Sequence, residues 1–276
     1  MLQPIEKPLP LISCLLVTAN GRLDYFKRSV QCFVDQTYPN KELVIVNEGN
    51  KEYQKLMTEH VKSLERKDIR FELLDRYYTL GALRNISLGL SDGEVFCQWD
   101  DDDFNFPSRL ATQFSFLKNS KIQISYLSDQ LHYYFNTQEL YWENWKFYLS
   151  GGNLKYMLIP GTIMGHIKDL PARYPSGGKN SRTGEDTVFA NQLLRLGAKI
   201  DVLSGCGNLH VYSFHGKNVF DVEHHRVLSR VRSYYRWDLI KKRELISQTL
   251  RYLNFKNDVK VMGRDGLAFI YENCAT

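Results

Sequence analysis

Four consecutive aspartates at residues 100–103 directly follow an apolar run at residues 95–99. The β-branched and aromatic residues of that run, which begins after the turn Asp92-Gly93, predict a buried strand. Adjacent carboxylates repel one another, so a fold keeps such a cluster only with help from solvent or a cation. An isolated acidic run is typical of a solvated turn. At the carboxyl end of a buried strand it instead predicts a ligand site, because open α/β sheets bind ligands there.

The first 120 residues alternate between strand and helix patterns. Short apolar runs predict strands at residues 11–17, 42–46, 69–74 and 95–99, and helical spacing predicts helices at residues 24–36, 51–65, 81–90 and 108–119. Such alternation is typical of an α/β fold with a mostly parallel sheet and right-handed crossovers. The polar turns after Val17, Val46 and Trp99 then lie along one edge of the sheet, where we expect a nucleotide to bind.

The second half of the chain has a different pattern. Aromatic-rich strands or hairpins after residue 122 indicate either an insertion or an acceptor-facing layer. We expect about residues 123–220 to be the acceptor-side part of a catalytic domain at residues 1–220. Residues 171–183 are rich in Pro, Gly, Ser and basic residues, which predicts a mobile loop that closes over donor or acceptor. A helix is expected at residues 185–196, and strands at residues 200–203 and 209–214.

Residues 221–276 predict a basic, helical C-terminal extension. Its apolar residues recur at helical spacing, at Val227, Val231, Tyr234, Tyr235 and Leu239. This pattern favours packing on the domain or on an oligomer partner. Peripheral contact with anionic lipid is the alternative.

Composition narrows the class of protein. The net charge of +5 is mild and helps to attract an anionic substrate. No basic run is interleaved with regularly spaced aromatic residues, so we expect no nucleic-acid partner. The five cysteines have no CxxC spacing, which is typical of a reduced cytosolic protein. Since no signal peptide and no membrane-spanning run is recognisable, we expect a cytoplasmic protein, or one at the inner face of the membrane.

Seven segments in order resemble those of glycosyltransferase family 2, the inverting enzymes of GT-A fold. They are LVTAN at 16–20, QTYPNKEL at 36–43, VIVNEG at 44–49, GALRN at 81–85, the aspartate run, GEDT at 184–187 and HGKN at 215–218. Each is a weak motif alone, and the ordered set over about residues 10–220 is a strong one. The resemblance implies a Rossmann-like, mostly parallel central sheet flanked by helices. It also implies a nucleotide-diphosphate-sugar donor, usually a UDP-sugar.

The same resemblance implies which residues bind the donor. Thr18 and Asn20 match the turn that lines the base, and Arg84 matches a residue near the base or the phosphates. Asn47 and Glu48 stand where the family commonly has two aspartates. Because an amide both donates and accepts hydrogen bonds, the preference for uracil is less secure here. A further match is Lys217, which would meet the diphosphate.

The family's Asp-x-Asp motif maps best onto Asp100 and Asp102, and the register of Asp101 and Asp103 is the alternative. By resemblance Asp100 contacts ribose or sugar, and Asp102 binds Mn²⁺ or Mg²⁺ together with the diphosphate. Asp101 and Asp103 then also belong to the donor site, and His215 completes the metal site. Hard oxygen ligands suit these cations, and a cation offsets the charge that develops on the leaving diphosphate.

The pair Glu185-Asp186 resembles the family's Glu-Asp motif at the start of a helix. Direct displacement with inversion requires a base that takes the proton of the acceptor hydroxyl, and a carboxylate serves if burial keeps its pKa useful. We predict Asp186 as the base, with Glu185 as an acceptor ligand or the alternate base. Acidic residues that stabilise the first turn of a helix are the simpler alternative.

Together these features predict an inverting, metal-dependent glycosyltransferase. The family suggests a glycan or lipid-linked acceptor in bacterial surface glycan synthesis. A nucleotidyltransferase would require a Gly-rich phosphate loop, which TANG at residues 18–21 does not form. A non-catalytic nucleotide-sugar-binding relative would lack metal or base carboxylates, and all are present. The sugar, the acceptor and the oligomeric state are left open by the sequence.

Overall fold

The computed structural model describes residues 8–148, 154–156, 158–216, 218, 221–255 and 257–273. Its strands are β1 (Ile12–Thr18), β2 (Lys41–Asn47), β3 (Ile69–Leu73), β4 (Val95–Gln98), β5 (Phe104–Asn105), β6 (Ile124–Leu127), β7 (Asp129–Tyr134), β8 (Glu139–Asn144), β9 (Lys146–Tyr148), β10 (Leu154–Tyr156), β11 (Met164–His166), β12 (Ile200–Leu203), β13 (His210–Phe214), β14 (Val259–Gly263) and β15 (Gly266–Tyr271). Its α-helices are α1 (Leu23–Val34), α2 (Lys51–Ser63), α3 (Leu80–Leu90), α4 (Arg109–Asn119), α5 (Glu185–Arg195), α6 (Val222–Arg232), α7 (Arg236–Lys241) and α8 (Arg243–Leu253).

The central sheet has the strand order β12-β6-β11-β4-β1-β2-β3. Only β11 is antiparallel to its neighbours β4 and β6, and the other pairs are parallel. β1 and β2 are buried along almost their whole length. Continuous burial is typical of parallel strands that have helices on both faces. The prediction of a mostly parallel α/β sheet is therefore confirmed.

Alternate side chains of β1 enter two different cores. Leu16 packs in a cluster with Phe26 and Phe33 of α1, which also includes residues of α2 and α4. Leu15 belongs to a second cluster with Leu88 of α3 and Phe189 of α5. This alternation follows from the two-residue period of a strand. It places α3 and α5 together on one face of the sheet, opposite α1.

A second sheet has the order β15-β14-β8-β7-β13-β5. The two-residue strand β5 follows the aspartate run and pairs with β13 in antiparallel fashion. Since β4 belongs to the central sheet and β5 to the second one, the four aspartates occupy the crossing between the two sheets.

The predicted helices of the C-terminal extension are present, and a strand hairpin that was not predicted follows them. Residues 222–253 form α6, α7 and α8, but β14 and β15 then form a hairpin, and β14 pairs with β8 of the second sheet. In β14 the buried Val259 and Val261 alternate with the exposed Lys260. This period of two is the sequence signal for a strand that buries one face.

The apolar residues of the extension have mixed environments. Leu239 is buried and Tyr234 packs against the main core, whereas Val227, Val231 and Tyr235 are exposed. The predicted packing on the domain therefore applies to only part of this set. In the described part of the chain, no helix has the length and apolar character needed to cross a membrane.

The segment at residues 171–183 is attached to α3 along its first half. Asn85 and Tyr174 exchange two hydrogen bonds, with Asn85 Nδ2 donating to the Tyr174 carbonyl at 2.8 Å and Tyr174 N donating to Asn85 Oδ1 at 2.9 Å. Thr79 Oγ1 donates to the carbonyl of Ser176 at 3.1 Å. These contacts fix residues 174–176 against α3 and its first turn, and the mobility of the rest of the loop stays a prediction.

A pair of glycines in α3 tests this attachment. A Cβ on Gly81 would clash with the carbonyl oxygen of Pro175, whereas a Cβ on Gly89 would meet nothing within 4 Å. We expect Gly81→Ala to lower the free energy of unfolding by about 1–3 kcal/mol through overpacking. Gly89→Ala is the control and should raise it by up to about 1 kcal/mol, because alanine is the better helix former. Urea unfolding measures both, and equal effects would contradict the close approach.

Candidate active site

The carboxyl ends of β1 and β4 open into a cavity of about 680 Å³. Ligand pockets commonly have volumes of about 300–1,000 Å³. The charged residues that line it come from distant parts of the sequence, and they include Arg22, Arg84, Asp100, Asp101, Asp102, Asp103, Arg182, Glu185 and Asp186. The fold thus brings the aspartate run and the Glu185-Asp186 pair to one cavity.

Helix α1 holds the backbone at the start of the aspartate run. Trp99 is fully buried, and its indole Nε1 donates to the carbonyl of Ser29 at 3.1 Å. Ser29 Oγ donates to the carbonyl of Asp100 at 2.9 Å, and Arg28 Nη2 donates to the carbonyl of Asp102 at 2.6 Å. Because these carbonyls have partners in α1, the run keeps a fixed conformation at the cavity wall.

Arg22 bridges two of the carboxylates. Its Nη1 lies 2.9 Å from Asp101 Oδ1 and 2.9 Å from Asp102 Oδ2. Burial and the charge of Asp102 raise the pKa of Asp101 to about 7, although Arg22 opposes the shift. Burial would also raise the pKa of Asp102. A hydrogen bond with His215 and the charge of Arg22 outweigh it, so the pKa of Asp102 is lowered.

Alternate carboxylates of the run differ in exposure. The side chains of Asp100 and Asp102 are 30% and 14% exposed, whereas those of Asp101 and Asp103 are buried. Both oxygens of Asp100 accept from Gln98 Nε2, at 3.1 and 3.0 Å. Asp103 Oδ1 accepts from the backbone N–H of Ser213 at 2.9 Å. Burial also raises the pKa of Asp103 well above its ordinary value.

Arg84 connects the aspartate run to α5. Its Nε lies 3.1 Å from Glu185 Oε1, and its Nη2 lies 3.5 Å from Asp100 Oδ1. Burial opposes the charge of Arg84, but the carboxylates of Asp100 and Glu185 outweigh it and raise the arginine pKa. Burial raises the pKa of Glu185, with Arg84 opposing. Glu185 is therefore the buried partner of an ion pair.

Asp186 occupies a different position from its neighbour. It follows the buried Glu185 in the first turn of α5, is partly exposed and lines the cavity. Its Oδ1 accepts from the backbone N–H of Thr187 at 2.6 Å. Gly184, with a φ of 73°, supplies the left-handed backbone conformation that lets the chain enter this helix. Of the two carboxylates, Asp186 is the one without an ion pair to Arg84.

The residues predicted to bind the base lie together but beside the cavity. Asn47 Nδ2 donates to the carbonyl of Thr18 at 2.8 Å, and Asn20 Oδ1 accepts from Asn50 N at 2.9 Å. Glu48 Oε2 accepts from Tyr78 N at 2.6 Å. Thr18, Asn20, Asn47 and Glu48 are not among the described residues that line the cavity. The hydrogen bonds of these residues stabilise the two adjoining turns.

Two further observations concern the predicted site residues. Lys217 lies outside the described residues, so its role stays a prediction. Arg22 was missed, although it directly follows the polar turn Asn20-Gly21, which was singled out as a base-binding turn. A basic side chain next to that turn is the signal that could have identified it.

The chemistry of Asp102 and His215 fits a divalent cation. Asp102 Oδ2 and His215 Nε2 are 3.0 Å apart, and the imidazole stacks on Tyr25 with ring centroids 4.7 Å apart. Adjacent ligands of an octahedral ion with bonds of about 2.1 Å are also about 3 Å apart. Within the described ranges, no group of three or more His, Cys, Asp or Glu side chains could hold a metal. The fit therefore requires substrate oxygens and water as further ligands.

The high pKa of Asp101 predicts a pH-dependent stability. Its folded-state pKa of about 7 exceeds the ordinary value of about 3.9, so the folded protein retains a proton that the unfolded chain loses. The resulting stability is complete below about pH 4 and is lost as the pH rises through about 7. Asn does not titrate, so the Asp101→Asn variant does not lose stability from this cause as the pH rises. We expect its stability relative to wild type to rise across that window, by at most about 4 kcal/mol.

Urea unfolding of wild type and Asp101→Asn at intervals from pH 4 to 8 measures this difference. Asp75→Asn, at an exposed position, is the control for the loss of one charge. A constant difference between Asp101→Asn and wild type across the range would contradict the assigned titration.

Comparisons with known proteins relate the sequence of this chain to a family. The family model of glycosyl transferase family 2 matches residues 13–172, more than half of the chain. An uncharacterised glycosyltransferase of Haemophilus influenzae is 28% identical over 113 residues, which are 40% of this chain and 34% of that protein. One of Methanocaldococcus jannaschii is 29% identical over 120 residues, which are 42% of this chain and 40% of that protein. The match thus spans less than half of these relatives.

Solved structures share the fold at low sequence identity. TarS 1–349 of S. aureus in complex with UDP has a TM-score of 0.58 and 15% identity, with 89% of this chain and 67% of that chain covered. The mannosyltransferase PcManGT of Pyrobaculum calidifontis, in complex with GDP-Man and Mn²⁺, has a TM-score of 0.55 and 11% identity. The overlap covers 80% of this chain and 63% of PcManGT.

These likenesses confirm the predicted GT-A fold, in which helices flank the central sheet. The family model covers five of the seven segments from which the resemblance was predicted, up to and including the aspartate run. The chain therefore belongs to glycosyltransferase family 2.

Proposed function

We propose that this protein transfers a sugar from a nucleotide-diphosphate sugar to an acceptor hydroxyl, with inversion at the anomeric carbon. The observation that carries the proposal is one cavity that contains both the aspartate run and Asp186. Phosphate chemistry needs cationic partners, and nucleophilic attack needs a base on the other side of the sugar. Family membership supports the reaction class.

The donor diphosphate binds at the aspartate run in this proposal. Arg22 and Arg84 line the same cavity and supply positive charge close to these carboxylates. UDP is the first candidate because TarS structures contain UDP or UDP-GlcNAc, although PcManGT binds GDP-Man. The turns stabilised by Thr18, Asn20, Asn47 and Glu48 would contact the base of the donor. Lys217 remains a candidate for binding the diphosphate.

The exposure pattern supports Asp100 and Asp102 as the Asp-x-Asp pair. These two carboxylates are the more exposed ones, whereas Asp101 and Asp103 are buried and hydrogen-bonded within the protein. In this register Asp100 orients ribose or sugar. Asp101 and Asp103 then hold the run in place beneath the donor.

Asp102 and His215 would hold Mn²⁺ or Mg²⁺. When bound, the cation offsets the negative charge that develops on the departing diphosphate. Arg22 and His215 both contact Asp102 Oδ2. Arg22 is therefore close enough to bind oxygens of the donor diphosphate in this proposal. The lowered pKa of Asp102 keeps this carboxylate ionised, as a metal ligand must be.

Asp186 acts as the base in the proposed reaction. The acceptor oxygen forms a bond to C1 of the sugar, the bond from C1 to the diphosphate oxygen breaks, and its electron pair leaves with the nucleotide. Asp186 takes the hydroxyl proton. Glu185 is engaged with Arg84 in a buried ion pair and positions the start of α5, so it is the weaker candidate for the base.

A thermal-shift panel tests donor binding. We expect UDP with Mn²⁺ to raise the Tm of wild type more than UDP with EDTA, because a ligand at one hundred times its Kd stabilises by about 2.7 kcal/mol. Asp102→Asn should lose the Mn²⁺-dependent part. Exposed Asp75→Asn is the matched control and should keep it.

GDP, CDP and dTDP in the same panel determine the base preference. No stabilisation by any nucleotide would contradict an active transferase and favour a non-catalytic relative.

The two acidic residues of α5 are separated by a second test. Asp186→Asn should abolish sugar transfer, by at least about a hundredfold in kcat, while UDP binding and Tm stay near wild type. Glu185→Gln should instead lower the Tm, because it removes the nearer of the two carboxylates that form ion pairs with the buried Arg84. The nucleotide product released from a donor and acceptor pair measures transfer. Full activity of Asp186→Asn would reassign the base.

A glycan or lipid-linked acceptor is proposed from the family. Val227, Val231 and Tyr235 are exposed near basic residues of α6, which supports peripheral contact with an anionic lipid surface as the alternative to packing.

A further inference from the structure

The cavity extends beyond Asp186 to a polar floor on the second sheet. This floor consists of Gln130 and His132 of β7, Glu143 of β8, and His225 of α6, all of which line the same cavity as the aspartate run. None of these residues belongs to a segment that carried the family resemblance. They come from two neighbouring strands and the helix that packs over them.

Glu143 organises the floor. Its carboxylate accepts from His132 Nδ1 at 2.7 Å, from Ser229 Oγ at 2.7 Å, from Gln130 Nε2 at 3.2 Å and from Trp145 Nε1 at 3.2 Å. Burial would raise the pKa of Glu143, but His132 and the other donors lower it to about 2. The carboxylate is therefore ionised and its hydrogen-bonding capacity is filled from within the protein.

Among the residues that the structure describes, three polar atoms of this floor have no hydrogen-bond partner. They are Oε1 of Gln130, Nε2 of His132 and Nε2 of His225, in residues that are only 4%, 2% and 6% exposed. Most buried polar groups in folded proteins have a hydrogen-bond partner, so three unpaired atoms in one wall of a cavity favour a ligand that satisfies them. All three residues border the cavity, although the three atoms themselves are shielded from it, so a ligand would supply the missing partners after a small shift of these side chains.

We propose that Gln130, His132 and His225 form a subsite that binds the hydroxyl groups of an uncharged sugar ring of the acceptor. This subsite rests on the proposed function, because the bound sugar is an acceptor only if the protein is a sugar transferase. A sugar bound there shares a cavity with Asp186, which would take the proton from its reacting hydroxyl.

The hydrogen-bonding chemistry favours hydroxyl groups. Gln130 Oε1 can only accept a hydrogen bond, so its partner must be a donor. Since Glu143 binds His132 at Nδ1, the Nε2 of His132 accepts when the ring is neutral and donates when it is charged. A hydroxyl satisfies either form because it both donates and accepts.

The electrostatics disfavour a phosphate at this position. The carboxylate of Glu143 lies behind Gln130 and His132, and it offsets the positive charge of the neighbouring His132 and Arg232, so the floor offers an anion little net positive charge. Burial and the neighbouring His132 lower the pKa of His225 to about 4, so its imidazole is neutral at physiological pH.

Ligand-observed NMR tests the subsite directly. The probes are the methyl glycopyranosides of glucose, galactose, mannose and N-acetylglucosamine, each with and without UDP, and glycerol 3-phosphate is the anionic comparison. We expect at least one glycoside to bind wild type, and His225→Phe to weaken it about tenfold, which is the effect of one lost hydrogen bond. UDP binding should be unchanged in this variant.

His225→Phe is chosen because it keeps an aromatic ring in the same packing and removes both ring nitrogens, of which Nε2 has no hydrogen-bond partner among the described residues. Gln130→Met is the second variant, with a side chain of similar length. His60→Phe is the matched control, since His60 also lies on a helix but does not line the cavity. The Tm of each variant checks its folding.

Three outcomes would overturn the proposal. They are the absence of glycoside binding to wild type, equal binding to wild type and to both floor variants, and binding of glycerol 3-phosphate alone. Loss of the UDP signal with retained glycoside binding would count against the donor site and leave the subsite intact. The two proposals therefore fail separately.

Discussion

The negative charge of four adjacent carboxylates has to be compensated, and the rest of this structure depends on that constraint. Two arginines from different helical regions reach the run from opposite sides, Arg22 before α1 and Arg84 in α3. Their charges allow carboxylates to remain at the cavity wall, where burial alone would neutralise them. The compensation is uneven, because Asp102 has a lowered pKa whereas Asp101 and Asp103 have raised ones. One run of identical residues thus contains groups of different chemistry.

The position of the run between two sheets gives the cavity its two ends. β4 belongs to the central sheet and β5 to the second sheet, so the aspartates stand where the two meet. The end towards α1 and α3 is rich in charge. The other end has a floor of neutral or internally neutralised polar groups arranged around Glu143. A donor with a charged diphosphate and an acceptor with uncharged hydroxyls match this division.

Much of the fold was predictable because its signals are local. The predicted strands and helices of the first 120 residues agree with the structure to within about two residues, since hydrophobic period and turn residues determine such elements. The C-terminal hairpin was missed because the basic, helical stretch before it dominated the pattern. The attachment of residues 174–176 to α3 was also not predictable, because it depends on contacts about 90 residues apart.

The sequence by itself determined the family, the fold class and the chemistry available, because ordered motifs and strand periods are written along the chain. Only the tertiary structure decided which carboxylates face the cavity, that Arg84 engages Glu185 and leaves Asp186 without that ion pair, and that Arg22 bridges two aspartates. It also decided that His132 meets Glu143 across a hairpin. The physical reason is that exposure, ion pairing and pKa depend on neighbours in space, which a linear pattern does not specify.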